Sequence, residues 1–233
     1  MNFNVLKCAV MSITLKKSPS KYEYKMKGQV VPRVDHHDYL GVTVSHKLSW
    51  DLHTKKIISK ALKTLGMLRR NLHFCSQEIK ALAYLTLIKP QLEYATCARS
   101  PYTKKHVKLI EGVQNAAARF AAGNNSRYTS VSGLVQELKW KSLEQRRLIE
   151  DVTMFHWIDQ GLVKIPFPAV VIQTHLQSTR RCHDKQKAVI GASLNIYNCS
   201  YFVRSIPHWN SLPASCVEAA SSAAFTAEIK KIM

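Results

Sequence analysis

Apolar and polar residues change their spacing along this chain, and the changes divide it into three stretches. In the first, Val10-Met11-Ser12-Ile13-Thr14-Leu15 alternates, Ser18-Pro19-Ser20 breaks the run, Tyr22-Glu23-Tyr24-Lys25-Met26 alternates again and Gly28 offers a turn. A further strand is expected over Tyr39-Leu40-Gly41-Val42-Thr43-Val44, after the polar loop Asp35-His36-His37-Asp38. From residue 51 to about 72 the period becomes helical. Ile58, Ala61, Leu62, Leu65, Leu68 and Leu72 fall in one arc, with Lys56, Lys60, Lys63 and Arg70 in the opposite one. Arg69 lies in the apolar arc, so either its stem snorkels or the helix changes phase after Gly66.

Ser76 is placed to cap a second helix with Ile79, Leu82, Ala83, Leu85 and Ile88 on one face, and Pro90 should kink or end it. A third helix is expected over about 103–122, with Val107, Ile110, Val113 and Phe120 inward and Gly123 as its stop. Lys104, Lys105 and Lys108 open it, which opposes the helix dipole unless an anion sits there. A short helix near 131–138 follows, and Ser142-Leu143-Glu144-Gln145 reads as a capping box opening a fifth helix that ends at Gly161. Beyond Pro166 and Pro168 the pattern weakens into strand-like pieces, Ala188-Val189-Ile190 and Tyr201-Phe202-Val203, before a last helix near 219–232. The expected fold class is α+β, mostly α: a short β region over 1–48, a basic helical bundle over 49–161, and an irregular C-terminal region of short strands and a terminal helix over 162–233.

Composition sharpens this picture. With 46% hydrophobic residues among 233, the chain can bury a core, which excludes wholesale disorder. Its 34 basic and 15 acidic residues leave +19, which points to a polyanionic partner. The excess is uneven: residues 1–125 carry 21 basic and 7 acidic side chains, net +14, and residues 126–233 carry 13 and 8, net +5. The first half should therefore make the contact. Six scattered cysteines with no CxxC pair read as reduced thiols, and no run approaches the roughly 18 apolar residues of a membrane span. The expected setting is soluble and intracellular, nuclear or cytoplasmic, with no membrane partner.

Signals for self-contained catalysis are missing. The sequence has no GxxxxGK[ST], GxGxxG, GxSxG or HExxH, and no Asp-Asp pair to hold two magnesium ions. Asp35-His36-His37-Asp38 cannot converge on one ion if extended, and His175, Cys182, His183 and Cys199 match no zinc spacing, so no metal site is expected. Cys97 has the chemistry for a thiol–imidazole pair, but buried structural cysteine is the default. The basic residues remain. Lys56, Lys60 and Lys63 stand about one turn apart, able to neutralise successive phosphates, with Lys55, Arg70, Lys104, Lys105 and Lys108 as further contacts. Tyr84, Tyr94 and Tyr102 have faces for stacking on bases, though tyrosines at helical spacing are more often core.

A series of segments resembles one family. Asn4-Val5-Leu6-Lys7-Cys8, Tyr39-Leu40-Gly41-Val42-Thr43-Val44, Leu68-Arg69-Arg70-Asn71-Leu72 and Leu92-Glu93-Tyr94-Ala95 look like successive parts of the reverse transcriptase of jockey-like LINE (non-LTR) retrotransposons. Further on, Ala117-Ala118-Arg119-Phe120 after Gln114, the run from Leu138 to Arg147, and Arg204-Ser205-Ile206-Pro207-His208-Trp209-Asn210-Ser211-Leu212-Pro213 resemble the region after that polymerase's palm. By this resemblance Lys7 occupies the place of a lysine that protonates pyrophosphate, a relic general acid here. Tyr39, Leu40 and Gly41 would form a primer-grip strand, and the helices after Ser49 a thumb that grips RNA or RNA–DNA duplex through its backbone. The aspartates that hold Mg2+ in the intact RNA-directed DNA polymerase would lie before Met1. The chain alone is therefore expected to be inactive, without cofactor or small-molecule substrate, while retaining non-specific template–primer binding. The rival expectations are a domesticated protein-interaction module and a non-functional pseudogene product. Trp209 is expected to be a packing anchor.

Overall fold

The computed structural model describes residues 4–18, 20, 22–124, 126, 128–165 and 183–233. Pro19, Pro166, Pro168, His175 and Cys182 lie outside them. The chain starts with one 3-10 turn, Val5–Lys7, and two antiparallel hairpins: β1 (Lys25–Met26) with β2 (Gln29–Val30), and β3 (His36–Tyr39) with β4 (Val42–Ser45). Ten α-helices follow among the described residues: α1 (Asp51–Asn71), α2 (Gln77–Ala83), α3 (Lys89–Glu93), α4 (Lys104–Ala121), α5 (Val131–Glu137), α6 (Leu143–Asp159), α7 (Asn195–Asn198), α8 (Tyr201–Asn210), α9 (Ala214–Val217) and α10 (Ser222–Ile232). The protein is thus mostly helical, with a short β region at its N-terminal end. Among the described residues no helix is long and apolar enough to cross a membrane.

The β region departs from its sequence pattern in three places. Val10 to Leu15 is no ladder strand: Val10 makes a single parallel bridge to Arg33, and Ile13 and Leu15 are exposed. Alternation alone builds no strand where no neighbour supplies a ladder. Residues 39–44 are not one continuous strand: Tyr39 ends β3, and Leu40-Gly41 is the tip of the β3–β4 hairpin. Leu40 and Gly41 have φ of +46° and +78°, the primed two-residue turn that matches strand twist. His36, His37 and Asp38, expected in a loop, form β3 because that turn folds them back against Val42 to Ser45.

One buried histidine joins the second hairpin to the helices. His53, in the first turn of α1, is 1% exposed, and its Nδ1 accepts the Thr43 N–H at 3.1 Å. Burial, aided by Arg99 and Lys56, pushes its pKa down from 6.5 to about 4. The unfolded chain therefore binds a proton that the folded chain refuses. Stability falls as pH drops through the window from 6.5 to about 4, by at most about 3 kcal/mol from this group. Urea unfolding across that window should show the loss, and His53→Gln should flatten it; an unchanged slope would reject the assignment.

Two cores carry the helices. In the first, Ile57, Ala61, Leu65 and Leu68 of α1 meet Ile110, Val113, Ala117 and Phe120 of α4. Gly66 does not interrupt α1, and Arg69 snorkels: its Nη2 reaches the Ala116 carbonyl at 3.2 Å. Between α2 and α3 a π-helical turn, Tyr84–Ile88, adds a residue to the winding. Pro90 then falls in the first turn of α3, where its missing N–H costs nothing, so it does not stop the helical path. The register shift buries Tyr84, Ile88 and Leu92 and leaves the expected face residues Ile79, Leu82 and Leu85 exposed. Tyr84 is core: its ring stacks on Trp140 at 4.2 Å and its hydroxyl donates to Gln114 at 2.8 Å.

The capping box at Ser142 and Gln145 forms, as do the left-handed stops at Gly123 and Gly161. In the second core Ile149, Val152 and Phe155 of α6 pack on Ile206 and Trp209 of α8 and on Phe225 and Ile229 of α10, joining residues from both sides of position 161. The expected strand Tyr201-Phe202-Val203 is the first turn of α8, and 219–232 contains a break before α10. A short apolar run fits helix or strand, and burial against α6 decides for helix.

Candidate nucleic-acid interface

The expected phosphate contacts divide into three groups. Lys55 and Lys56, on the first turns of α1, are exposed but already paired. Lys56 Nζ lies 2.5 Å from Asp38 of β3, and Lys55 Nζ lies 3.0 Å from Asp51. Lys56, then Thr43, holds the Asp38 carboxyl below its usual range; Lys55, then His106, does the same for Asp51. The sequence row therefore has partners that linear spacing hides: hairpin turning brings Asp38 to α1, and α4 brings His106 within 2.5 Å of Asp51.

Lys60, Lys63 and Arg70 form the second group. They are exposed along α1 and make no ion pair among the described residues. Lys55 and Lys63 wall a groove with Ile58, Leu62 and Leu109, so α1 offers cations beside an apolar strip where it packs on α4. The third group lies on α4. Lys104, Lys105 and Lys108 are exposed and unpaired among the described residues. Thr103 caps that helix by accepting from the His106 N–H, and its first turn has no acid. Lys104 and Lys108 line a hollow with Tyr102 and Arg204. Lys55 and Lys63 thus border one hollow, and Lys104 and Lys108 another.

The remaining expected residues are scattered. Lys7 is exposed in the N-terminal turn, with no ion pair among the described residues. Tyr94, at the end of α3, donates its hydroxyl to the Leu40 carbonyl at 2.8 Å. It clamps the hairpin tip, and its ring lies 3.5 Å from where a Cβ on Gly41 would stand. His183 is buried, its Nε2 3.0 Å from the Trp209 carbonyl. Burial, with Asp151 and Glu150, pushes the Cys97 thiol up to about 12, the opposite of an activated nucleophile. Among the described residues no three His, Cys, Asp or Glu side chains group to hold a metal ion.

Part of the basic excess serves the interior. Arg99, 1% exposed, donates from Nε to the Tyr94 carbonyl and from Nη2 to the Leu92 carbonyl, both at 2.8 Å. It ties the end of α3, where helix carbonyls lack partners. Arg147 is 6% exposed, and Arg204 is locked to Asp151 at 2.8 Å. Net charge alone does not separate these from surface cations.

A second site lies where no motif pointed. A cleft of about 790 Å³ opens between α3, α6 and α10. Glu93 and Glu150 face it, with Trp140 and Trp157 among its walls and Lys139, Lys141 and Lys230 around it. Glu93 is paired with Arg146 at 3.2 Å and Lys89 at 3.7 Å, and its buried Oε1 meets the Arg146 guanidinium as an ion pair without a hydrogen bond. Glu150 accepts from the Thr96 hydroxyl. Burial pushes both carboxyls up, against the pull of Arg146 on Glu93 and of Thr96 on Glu150. The sequence holds a single hint, two acids within a basic chain. Comparison with protein-family models, with curated proteins and with solved structures finds no match to this chain.

Proposed function

We propose that the chain is the thumb-bearing C-terminal part of a jockey-like LINE reverse transcriptase and binds RNA or RNA–DNA duplex through backbone phosphates without sequence preference. One observation carries the binding reading: Lys60, Lys63, Arg70, Lys104, Lys105 and Lys108 are exposed and unpaired among the described residues, while Lys55, Lys56 and the buried arginines are engaged elsewhere. Unpaired cations on a helix face release counterions from phosphate on contact, which is the main source of non-specific affinity. The order of the seven resembling segments supplies the family reading. No chemical step is assigned to the chain, and an intracellular setting, nuclear or cytoplasmic, is part of the proposal.

Affinity for a mixed-sequence RNA–DNA duplex should fall linearly in log K against log salt. Lys60→Glu with Lys63→Glu should lower affinity roughly tenfold or more and reduce the slope by about two, with unchanged circular dichroism. A slope equal to the parent's would reject α1 as the contact. The protein-interaction reading is favoured by one feature: Ile79 and Leu82, 49% and 60% exposed, stand together on α2. Retained duplex affinity after Lys60 and Lys63 reversal would shift weight to it.

A further inference from the structure

We propose that the cleft between α3, α6 and α10 binds a guanine nucleotide, with the base against Glu150 and the phosphate at the lysines around the cleft. Three features converge on that ligand. A carboxylate in a cleft wants a donor: Glu93 is engaged by Arg146 and Lys89, while the Glu150 oxygen not taken by Thr96 has no hydrogen-bond partner among the described residues. Guanine presents N1–H and N2–H as adjacent donors, a match to a carboxylate that adenine does not offer. Trp157, 36% exposed, supplies a ring face, and Met154 and Ile149 extend the apolar wall on which a planar base lies.

The third feature is charge. Lys139, Lys141 and Lys230 border the cleft. None of these three makes an ion pair among the described residues. Lys141 spends one donor on the Lys230 carbonyl, which ties α10 to the segment before α6 and leaves two donors for an anion. Acceptors, an aromatic wall and cations therefore occur together in one concave site, the arrangement expected where a small ligand is read. The site lies apart from the α1 lysines and does not depend on duplex binding.

The test uses the full chain, calorimetric titration and the quenching of tryptophan fluorescence. GMP should bind saturably, at least tenfold more tightly than AMP and inorganic phosphate. Glu150→Gln, which keeps shape and the acceptor toward Thr96, should reduce GMP affinity about tenfold and narrow the preference over AMP. Lys139→Ala with Lys230→Ala should weaken GMP while sparing guanosine, and Trp157→Phe should remove most of the quenching. A uridine hexamer carrying one guanosine distinguishes a strand-borne guanine from a free nucleotide: tighter binding than GMP assigns the site to a strand. Lys60→Glu with Lys63→Glu should leave GMP binding unchanged, which separates failure here from failure of the duplex reading. No saturable GMP binding at millimolar concentration, GMP no tighter than AMP, or unaltered GMP affinity in a folded Glu150→Gln protein would each overturn the proposal.

Discussion

Arg204→Met is expected to destabilise the protein by about 3–5 kcal/mol, enough to leave little of a marginal fold. Arg204 Nε and Nη2 grip the two Asp151 oxygens at 2.8 and 2.9 Å, while Nη1 and Nη2 also donate to the Cys199 and Cys97 carbonyls at 3.0 and 2.7 Å. Asp151 is 5% exposed, so removing the guanidinium leaves a buried carboxylate and two carbonyls short of donors. The pair joins α6 and α8 to the turn after α3, and its loss should loosen both cores. Asp151→Leu in the Arg204→Met background should recover part of the loss, because an apolar pair no longer carries an unpaired charge. Urea unfolding of the two singles and the double measures the coupling. A single-variant cost below about 1 kcal/mol would show that water replaces the pair.

Trp209→Ala should cost a similar amount, about 3–5 kcal/mol, for a different reason. Its indole is fully buried, with ring centres 5.0 Å from Phe155 and 6.2 Å from Phe225, and its Nε1 donates to the Lys185 carbonyl at 2.9 Å. Truncation opens a cavity among α6, α8 and α10 that those helices cannot close without moving, and it strands the Lys185 carbonyl. Trp209→Phe should restore most of the packing and none of the hydrogen bond, so its cost should fall between wild type and alanine. Thermal unfolding followed at the far ultraviolet gives both values. An alanine cost no larger than that of phenylalanine would mean that the second core collapses around the gap.

Comparison of these two sites shows why parts of the molecule were legible from residues alone. The expected role of Trp209 as a packing anchor is what the second core displays, because burying its large apolar surface is the simplest use of an indole. Arg204 was read only as part of a resembling segment. Its partner Asp151 comes from another helix, and a guanidinium in a basic chain gives no local sign of being buried.

Local physics was readable along the chain. The 3.6-residue spacing places α1 and α4, the Ser142 and Gln145 pair starts α6, and glycine at positive φ ends α4 and α6, because each depends on neighbours within a few residues. Gly28 likewise closes the first hairpin. Tertiary structure alone decided what depends on distant partners. With the π turn before Pro90, Ile79 and Leu82 stay exposed while Tyr84 and Leu92 join the expected Ile88 in the core, since that choice is made by α4 and Trp140 on the other side of the contact. The β3–β4 turn at Leu40-Gly41 sends Asp38 to Lys56, and the first core sends Asp51 to His106, so charges that stand free in sequence are neutralised in space. Glu93 and Glu150 share a cleft only because α3 and α6 meet, and Coulombic and hydrogen-bond energies respond to that distance rather than to separation along the chain.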